Sequence, residues 1–445
     1  MNLSWINADD LVTYELRQQE EDGHDVAPFR ERWQRLKQEP QEQRKAQREA
    51  HRLLDELAAL PLPPEVAERE PSTLLEIRAQ RPAVSASLPQ LALADAELLD
   101  RIAGGWLGRA AGCLLGKPVE KIPREGIKMI LQSNGTWPLS DYITAQGIPD
   151  ALLKKYPWNR HSGKESLREN LVGMTEDDDL NYPMLNLHVL ETYGPQFSTE
   201  HVAQTWLSLL PALSTFTAER AAYLNCLSGV QPPETATNQN PYREWIGAQI
   251  RADLWGWVSP GNPARAAELA WRDARLSHVR NGIYGEMFFA AVIAAAFVAE
   301  NLAQAIAQGL MQIPQNSRLA AAIHFALALP EREKTWEGAV DRLYERFGSY
   351  HWVHTINNAA LVVAALLYGA GDYERSICNV VMAGWDTDSN GATAGSILGT
   401  MQGAARLPRK WIAPLRNTIR SSMKGFDHSR FDDLAQRTRA QVTNY

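Results

Sequence analysis

The amino-acid sequence predicts an all-α protein, and three observations support that prediction. Most segments after about residue 91 repeat apolar residues every three or four positions, which is the period of a helix with one buried face. Alternating apolar and polar residues that end in hairpin turns, the pattern of half-buried strands, are nearly absent. With 45% hydrophobic and 22% charged residues, the chain can also bury a sizeable core. The clearest helical periods cover residues 93–116, 182–192, 201–209, 263–274, 284–308 and 357–368.

The first 90 residues differ in composition from the rest of the chain. Residues 29–60 are dense in Arg, Glu and Gln with widely spaced apolar residues, which predicts one long polar helix. Prolines from Pro61 to Pro71 then break the helix, because proline cannot continue a helix interior. A second linker-like stretch covers residues 82–89. We therefore expect a helical N-terminal extension with a proline-containing linker over residues 1–90, which either covers a larger domain over residues 91–445 or mediates oligomerisation.

Charge and cysteine content exclude several classes of function. The net charge of −7 gives no overall attraction to nucleic acid, so we expect no nucleic-acid partner. The three cysteines form no close pair, unlike those of zinc sites or disulfide frameworks. The N-terminus is acidic rather than basic and apolar, and the longest apolar stretch, residues 287–299, is too short to span a bilayer. These features favour a cytoplasmic protein without a membrane partner, and they leave its oligomeric state open.

Two predicted helices carry glycine at every fourth position. These glycines are Gly104, Gly108, Gly112 and Gly116 in the first helix, and Gly391, Gly395 and Gly399 in the second. Glycine costs roughly 1 kcal/mol relative to alanine in a helix interior, so the pattern needs a physical reason. A spacing of four places the glycines on one helix face, where two backbones can approach closely. Tight packing of buried helices explains most of them, and Gly116 could in addition end its helix beside a ligand.

Two acidic clusters lie far apart in the sequence, at residues 175–179 and 386–389. Each precedes a predicted helix, so helix capping is the structural alternative for any single carboxylate. Buried carboxylates without partners are costly, however, and an apolar run from Cys378 to Met382 precedes the second cluster. Magnesium and manganese ions prefer carboxylate, hydroxyl and water oxygens. The two clusters therefore predict a divalent metal site, with two ions about 3.5–4 Å apart if both clusters contribute.

These motifs resemble the ADP-ribosylglycohydrolase family, which includes the dinitrogenase-reductase-activating glycohydrolases. The resemblance covers roughly residues 91–403. It rests on the glycine-rich opening at residues 104–120, on a Thr-Asp-Asp-Thr-like segment at 175–178, and on a Gly-Asp-Thr-Asp-Thr-like segment at 384–389. The last segment is the most specific. The resemblance implies a compact orthogonal multi-helix bundle that holds two Mg²⁺ or Mn²⁺ ions.

Matching the family's motifs residue by residue gives a candidate set of metal ligands, which are Thr175, Glu176, Asp177, Asp386, Asp388 and Ser389. The resemblance implies catalytic roles for Glu120, Asp177 and Asp386, with Glu120 positioning or activating water. Glu176 stands where the family has Asp, Asp178 where it has Thr, and Ser389 where it has Thr. All three departures keep oxygen donors, and they leave the register of the first cluster open by one residue.

A weaker match concerns the substrate. The resemblance implies that Gly116, Gly247, Arg251, His278 and Asn281 contact the ribosyl ligand. The segment 277–282 has the composition of a turn, so His278 could equally be a helix-end capping residue exposed to solvent.

The function implied is hydrolysis of an N- or O-glycosidic bond to ribose, with metal-assisted attack of water on an oxocarbenium-like centre. The substrate would be an ADP-ribosylated protein or a small ribosylated molecule. A hydrolase of a smaller N-riboside and a non-catalytic protein that binds ADP-ribose are the alternatives on the same fold. Helical isoprenoid synthases also use Asp-rich motifs, and residues 177–181 fit their first motif, but residues 386–388 do not fit their second.

Overall fold

The computed structural model describes residues 3–38, 43–83 and 87–442, with the side chains of 43–46 and 160–161 left undescribed. Its N-terminal helices α1 to α5 are Ala8–Glu21, Ala27–Gln38, Gln43–Ala58, Pro64–Arg69 and Leu74–Ala79. Helices α6 to α14 are Asp95–Gly116, Arg124–Ser133, Asp150–Lys155, Arg160–Glu165, Asp178–Tyr193, Thr199–Leu209, Thr217–Leu227, Ala252–Trp257 and Pro263–Ala274. Helices α15 to α23 are Arg280–Ala296, Leu302–Leu310, Arg318–Arg332, Trp336–Phe347, Thr355–Gly369, Tyr373–Met382, Thr387–Gln402, Arg409–Ile412 and Phe431–Ala440.

The all-α prediction is confirmed. Within the described ranges the extended backbone amounts to isolated bridges, such as the one between Met174 and Ile419. No helix in the described part of the chain is both long enough and apolar enough to cross a membrane.

Helices α6 and α21 pack against each other through their glycines, and the spacing of four predicts close packing for each of them. A Cβ atom added at Gly104, Gly108 or Gly112 would lie closer than 3.0 Å to a carbonyl oxygen of the opposite helix. The reciprocal clash occurs at each glycine of α21. Since real Cβ atoms do not approach backbone this closely, only glycine permits this separation of the two helices.

The segment predicted as one helix over residues 284–308 forms two helices. Helix α15 is buried along its whole length and ends at Ala296, and α16 begins at Leu302. The side chain of Asn301 accepts a hydrogen bond from the backbone N–H of Gln304 and so caps the start of α16. The apolar period continued through this break because both helices bury an apolar face.

The N-terminal extension is helical as predicted, but residues 29–60 form α2 and α3 rather than one helix. Residues 39–42 between them lie outside the described residues, as do residues 84–86 of the second predicted linker.

Buried ion pairs attach the extension to the larger domain. The carboxylates of Glu15, Asp22 and Glu70 lie 2.7–2.8 Å from the guanidinium groups of three arginines, which are Arg243, Arg280 and Arg318 respectively. These ion pairs join residues of the N-terminal extension to later segments of the chain.

Candidate metal centre and cleft

The two acidic clusters meet where three helices converge. The C-terminal end of α6 and the N-terminal ends of α10 and α21 lie together because the glycine contact continues to Gly116, whose backbone packs on Thr387. The hydroxyl of Thr387 donates a hydrogen bond to the carbonyl of Gly116 at 2.8 Å. One 3-10 turn, Lys117–Val119, then carries the chain to Glu120. The fold thus brings the predicted catalytic glutamate to both clusters.

The second cluster forms a compact group of oxygen donors with Glu120. Carboxylate oxygens of Glu120, Asp386 and Asp388 lie within 4.8 Å of one another. Asp386 occupies the N-cap position of α21 but makes no capping hydrogen bond, so helix capping does not account for its carboxylate. The Oδ1 atom of Asp388 is buried without a hydrogen-bond partner among the described residues. These donors fit a divalent cation, which would satisfy carboxylate oxygens that the protein leaves without a donor.

The backbone just before this cluster adopts a left-handed turn. Gly384 has a φ of 83° and Trp385 a φ of 59°, the latter being costly for a side chain with a Cβ. The indole of Trp385 stacks on Tyr344 with ring centroids 4.4 Å apart, and the Tyr344 hydroxyl donates to the carbonyl of Ala383. This packing holds the turn that delivers Asp386 to the cleft.

The first cluster has a different arrangement. Asp177 caps α10 by accepting a hydrogen bond from the N–H of Asp179 at 2.9 Å, and it forms an ion pair with the ammonium of Lys117. Asp179 accepts hydrogen bonds from Arg109 at 2.8 Å and from the hydroxyl of Ser389 at 3.0 Å. Asp179 therefore links the first cluster to the second, a role that the family-based assignment did not give it.

The remaining predicted ligands differ in position. Ser389 lines the cleft, as does Asp178, which stands where the family has threonine. The hydroxyl of Thr175 lies 3.1 Å from that of Ser166, and Thr175 lines a separate groove. Glu176 borders both the groove and the cleft, and its carboxylate accepts a hydrogen bond from Asn181 at 2.9 Å. The structure therefore brings Asp177, Asp178 and Asp179 to the cleft and leaves Thr175 behind them.

The cleft floor holds more carboxyl groups than buried cations. Burial raises the pKa of Asp386 well above its ordinary value, and the nearby carboxylates of Asp388 and Glu120 add to this effect. Burial raises the pKa of Asp178 in the same way although that residue keeps partial solvent contact, and it raises the pKa of Asp179 to about 7 against the opposing effect of Arg109. Because burial disfavours the charged form of these carboxylates, a bound cation would stabilise that form.

A thiol also lies near the first cluster. The Sγ atom of Cys113 is within 4.8 Å of carboxylate oxygens of Asp177 and Asp179. Burial raises the pKa of this thiol well above its ordinary value, which favours its neutral form. The other donors of the two clusters are carboxylate and hydroxyl oxygens, which hard divalent ions prefer.

These carboxylates form the floor of a cleft with an empty volume of about 800 Å³, and Gly247 lies in its wall. A Cβ atom at Gly247 would clash with the carboxylate of Glu219, which also lines the cleft. Gly116 supports the floor through its contact with Thr387 rather than lining the cleft itself.

The other residues expected to contact the substrate are buried behind the cleft. Arg251 has no exposed surface and pairs with Asp273 at 2.9 Å and Glu219 at 2.7 Å. His278 has no exposed surface either, so it is not the solvent-exposed turn residue that the sequence suggested. The amide of Asn281 donates to Glu70 and Glu244, both at 2.7 Å. In this structure these three side chains hold the cleft wall from behind and do not line it.

Sequence reasoning missed several residues of the cleft. Lys117, Asp179, Glu219, Trp352 and Trp5 all take part, and only Lys117 and Asp179 lie inside a motif. The carboxylate of Glu120 accepts a hydrogen bond from Asn159, which lies in none of the motifs. The Lys117 ammonium could have been found from its place directly after the glycine helix. Glu219, Trp352 and Trp5 come from distant segments that only the fold brings together.

One family of known proteins matches most of this sequence. A family model described as ADP-ribosylglycohydrolase matches residues 94–444. A solved structure described as an ADP-ribosylglycohydrolase-related protein complex is 20% identical, with 78% of this chain and 100% of that chain covered and a TM-score of 0.44. The comparison with curated proteins gave no match. Since the family model covers far more than half of the sequence, this chain belongs to the ADP-ribosylglycohydrolase family.

Proposed function

We propose that this protein is a metal-dependent hydrolase that cleaves the glycosidic bond between the anomeric carbon of a ribose and its substituent. The substrate is an ADP-ribosyl group on a protein or small molecule, or a smaller N-riboside. The observation that carries the proposal is the group formed by Glu120, Asp386 and Asp388, whose carboxylate oxygens lie within 4.8 Å of one another at the floor of a cleft. Because the chain belongs to a glycohydrolase family, the reaction proposed for these carboxylates is hydrolysis of a glycosidic bond.

Two divalent ions, Mg²⁺ or Mn²⁺, are the proposed cofactors. Asp386, Asp388 and Glu120 would hold one of them, and Asp177 to Asp179 with Ser389 would contribute to the other. When bound, such ions neutralise the carboxylates and bind sugar hydroxyls, which fixes the ribose for attack.

Hydrolysis requires two proton transfers. The bond from the anomeric carbon to the substituent breaks, the substituent leaves with the electron pair and takes up a proton from solvent, and water adds to the carbon and gives up a proton. Glu120 would accept the proton of that water, and a hydrogen bond from Asn159 to its carboxylate supports this role. The ammonium of Lys117 holds Asp177 at the edge of the same floor.

The test is a hydrolysis screen with added Mg²⁺ or Mn²⁺, covering ADP-ribosyl and simple N-ribosyl substrates and read out by released sugar. We expect Asp386→Asn/Asp388→Asn to lower the rate at least 100-fold and to weaken Mn²⁺ binding measured by calorimetry. Asp372→Asn is the matched control, because Asp372 caps α20 outside the cleft. Full hydrolysis by the double variant would refute the proposal, whereas ADP-ribose binding without turnover of any substrate would identify a non-catalytic protein.

A further inference from the structure

The N-terminal extension reaches into the cleft. Trp5 lines the same cavity as Asp386 and Asp388, although it lies far outside the residues that match the family model. Its indole is only partly buried. The cleft of this chain is therefore built in part from a segment that the family match does not include.

Trp5 is held in place by contacts on several sides. Its backbone has a φ of 70°, and its N–H donates to the carboxylate of Asp10. The hydroxyl of Tyr242 donates to the carbonyl of Trp5 at 2.7 Å. The indole packs edge-on against Tyr242 and Trp245, with ring centroids 5.8 and 6.0 Å away. These contacts fix one ring edge against the protein, as expected of a preorganised aromatic wall.

The segment that Trp5 contacts is itself anchored by the extension. Glu244, next to Trp245, is completely buried and lies 2.5 Å from Arg280 and 3.1 Å from Arg318. The same two arginines pair with Asp22 and Glu70 of the extension. Since buried guanidinium groups need carboxylate partners, the extension is a docked part of this wall rather than a loose arm.

The charge of the cleft indicates what kind of ligand this wall faces. Among the described lining residues, the lysines are already paired, Lys117 with Asp177 and Lys121 with Glu120 at 3.7 Å. No arginine is among the lining residues whose side chains the structure describes, a set that leaves out residues 160–161. The described side chains themselves would therefore give a diphosphate little cationic support, whereas Trp5, Trp352 and Phe216 offer apolar ring surface.

From this arrangement, and resting on the proposed function, we infer that Trp5 is a specificity-determining residue that contacts a flat, uncharged aromatic ring bound directly to the ribose. The acidic floor takes the sugar and the aromatic wall takes the leaving group. Bases and similar rings stack on aromatic side chains with little regard to their substituents, so the class of ligand is a ribonucleoside or a comparable N-riboside.

The test compares Trp5→Ala, Trp5→Phe and the control Trp336→Ala in the full-length protein with Mg²⁺. Trp336 is likewise partly buried but lies outside the cleft. Calorimetry would measure binding of ribose 5-phosphate, ADP-ribose and a panel of ribonucleosides, with thermal melting to verify folding. We expect Trp5→Ala to weaken ribonucleoside binding at least 10-fold and ribose 5-phosphate binding less than twofold, with Trp5→Phe restoring most of the loss.

Equal weakening of ribonucleosides and ribose 5-phosphate, no weakening of either, or a loss confined to ADP-ribose would each overturn the inference. If Trp5→Ala melts at a lower temperature than the wild type, its weaker binding could reflect unfolding. In that case the inference requires Trp5→Phe to bind ribonucleosides as tightly as the wild type. Failure of the wild type to bind any of the ribosyl ligands is a different result, and it would refute the proposed function itself.

Discussion

Substitution of Gly108 by alanine is expected to destabilise the protein although alanine is the better helix former. Gly108 lies in the middle of α6, where its backbone touches that of α21. An added Cβ would fall inside 3.0 Å of the carbonyl oxygen of Gly395. Neither atom can move without its helix, and both helices are buried at this point. The separation of the two helices must therefore increase.

The size of the effect follows from two opposing contributions. Alanine gains roughly 1 kcal/mol over glycine in a helix interior. Overpacking of a tight core costs typically about 1–3 kcal/mol, and a clash with rigid backbone belongs at the upper end of that range. The free energy of unfolding should therefore fall by about 2 kcal/mol.

Urea denaturation of Gly108→Ala, Gly395→Ala and the double variant measures this effect. The losses should not add, because the first methyl group already opens the gap that the second one needs. Gly163→Ala is the matched control, since a Cβ there would first meet Pro118 at an ordinary 3.5 Å. An unchanged or increased stability of Gly108→Ala, alongside the same result for Gly163→Ala, would show that the helices do not pack through their glycines.

Two further predictions test the buried groups near the cleft. Arg251→Met should lower the free energy of unfolding by about 3–5 kcal/mol, because it leaves the carboxylates of Asp273 and Glu219 buried without their cation. Arg251→Lys should not restore the lost stability, since lysine cannot replace the forked guanidinium. An unchanged melting temperature with weakened ligand binding would instead support the direct substrate contact expected from the sequence. Burial lowers the pKa of His351 to about 3, so its ring stays neutral in the folded protein while it titrates near 6.5 in the unfolded chain. Its contribution to stability is complete above pH 6.5 and is lost as the pH falls towards 3. When the pH falls from 6.5 to 5, the free energy of unfolding of the wild type should drop by about 2 kcal/mol more than that of His351→Gln, as measured by denaturant titration. The same drop in both proteins would contradict the lowered pKa of His351.

The features of the fold and the site that could be predicted are those that local sequence determines. Glycine at every fourth position has a cost that only close helix packing offsets, so close packing of α6 and of α21 could be predicted from the spacing, although not that each is the partner of the other. Asp386 and Asp388 stand beside an apolar segment, and the energetic cost of burying carboxylates pointed to a cation. The break between α15 and α16 was not predicted, because a single capping residue, Asn301, decides it.

Some side chains point elsewhere than the sequence suggested, because the partners that hold them lie far away in the chain. Arg251 follows a glycine loop that does line the cleft, but its side chain turns inward because Asp273 and Glu219 bind it there. Asn281 is held by Glu70, a residue of the extension 211 positions earlier. Trp5 shows the same effect in the opposite direction, since nothing in the composition of residues 1–90 suggested a role in the cleft. A buried partner decides in each case whether a polar or aromatic side chain faces the ligand or the core, and such partners come from segments whose proximity only the fold creates. The group of carboxylates formed by Glu120, Asp386 and Asp388 could therefore be anticipated from the motifs of this chain, whereas the aromatic wall of the cleft could not.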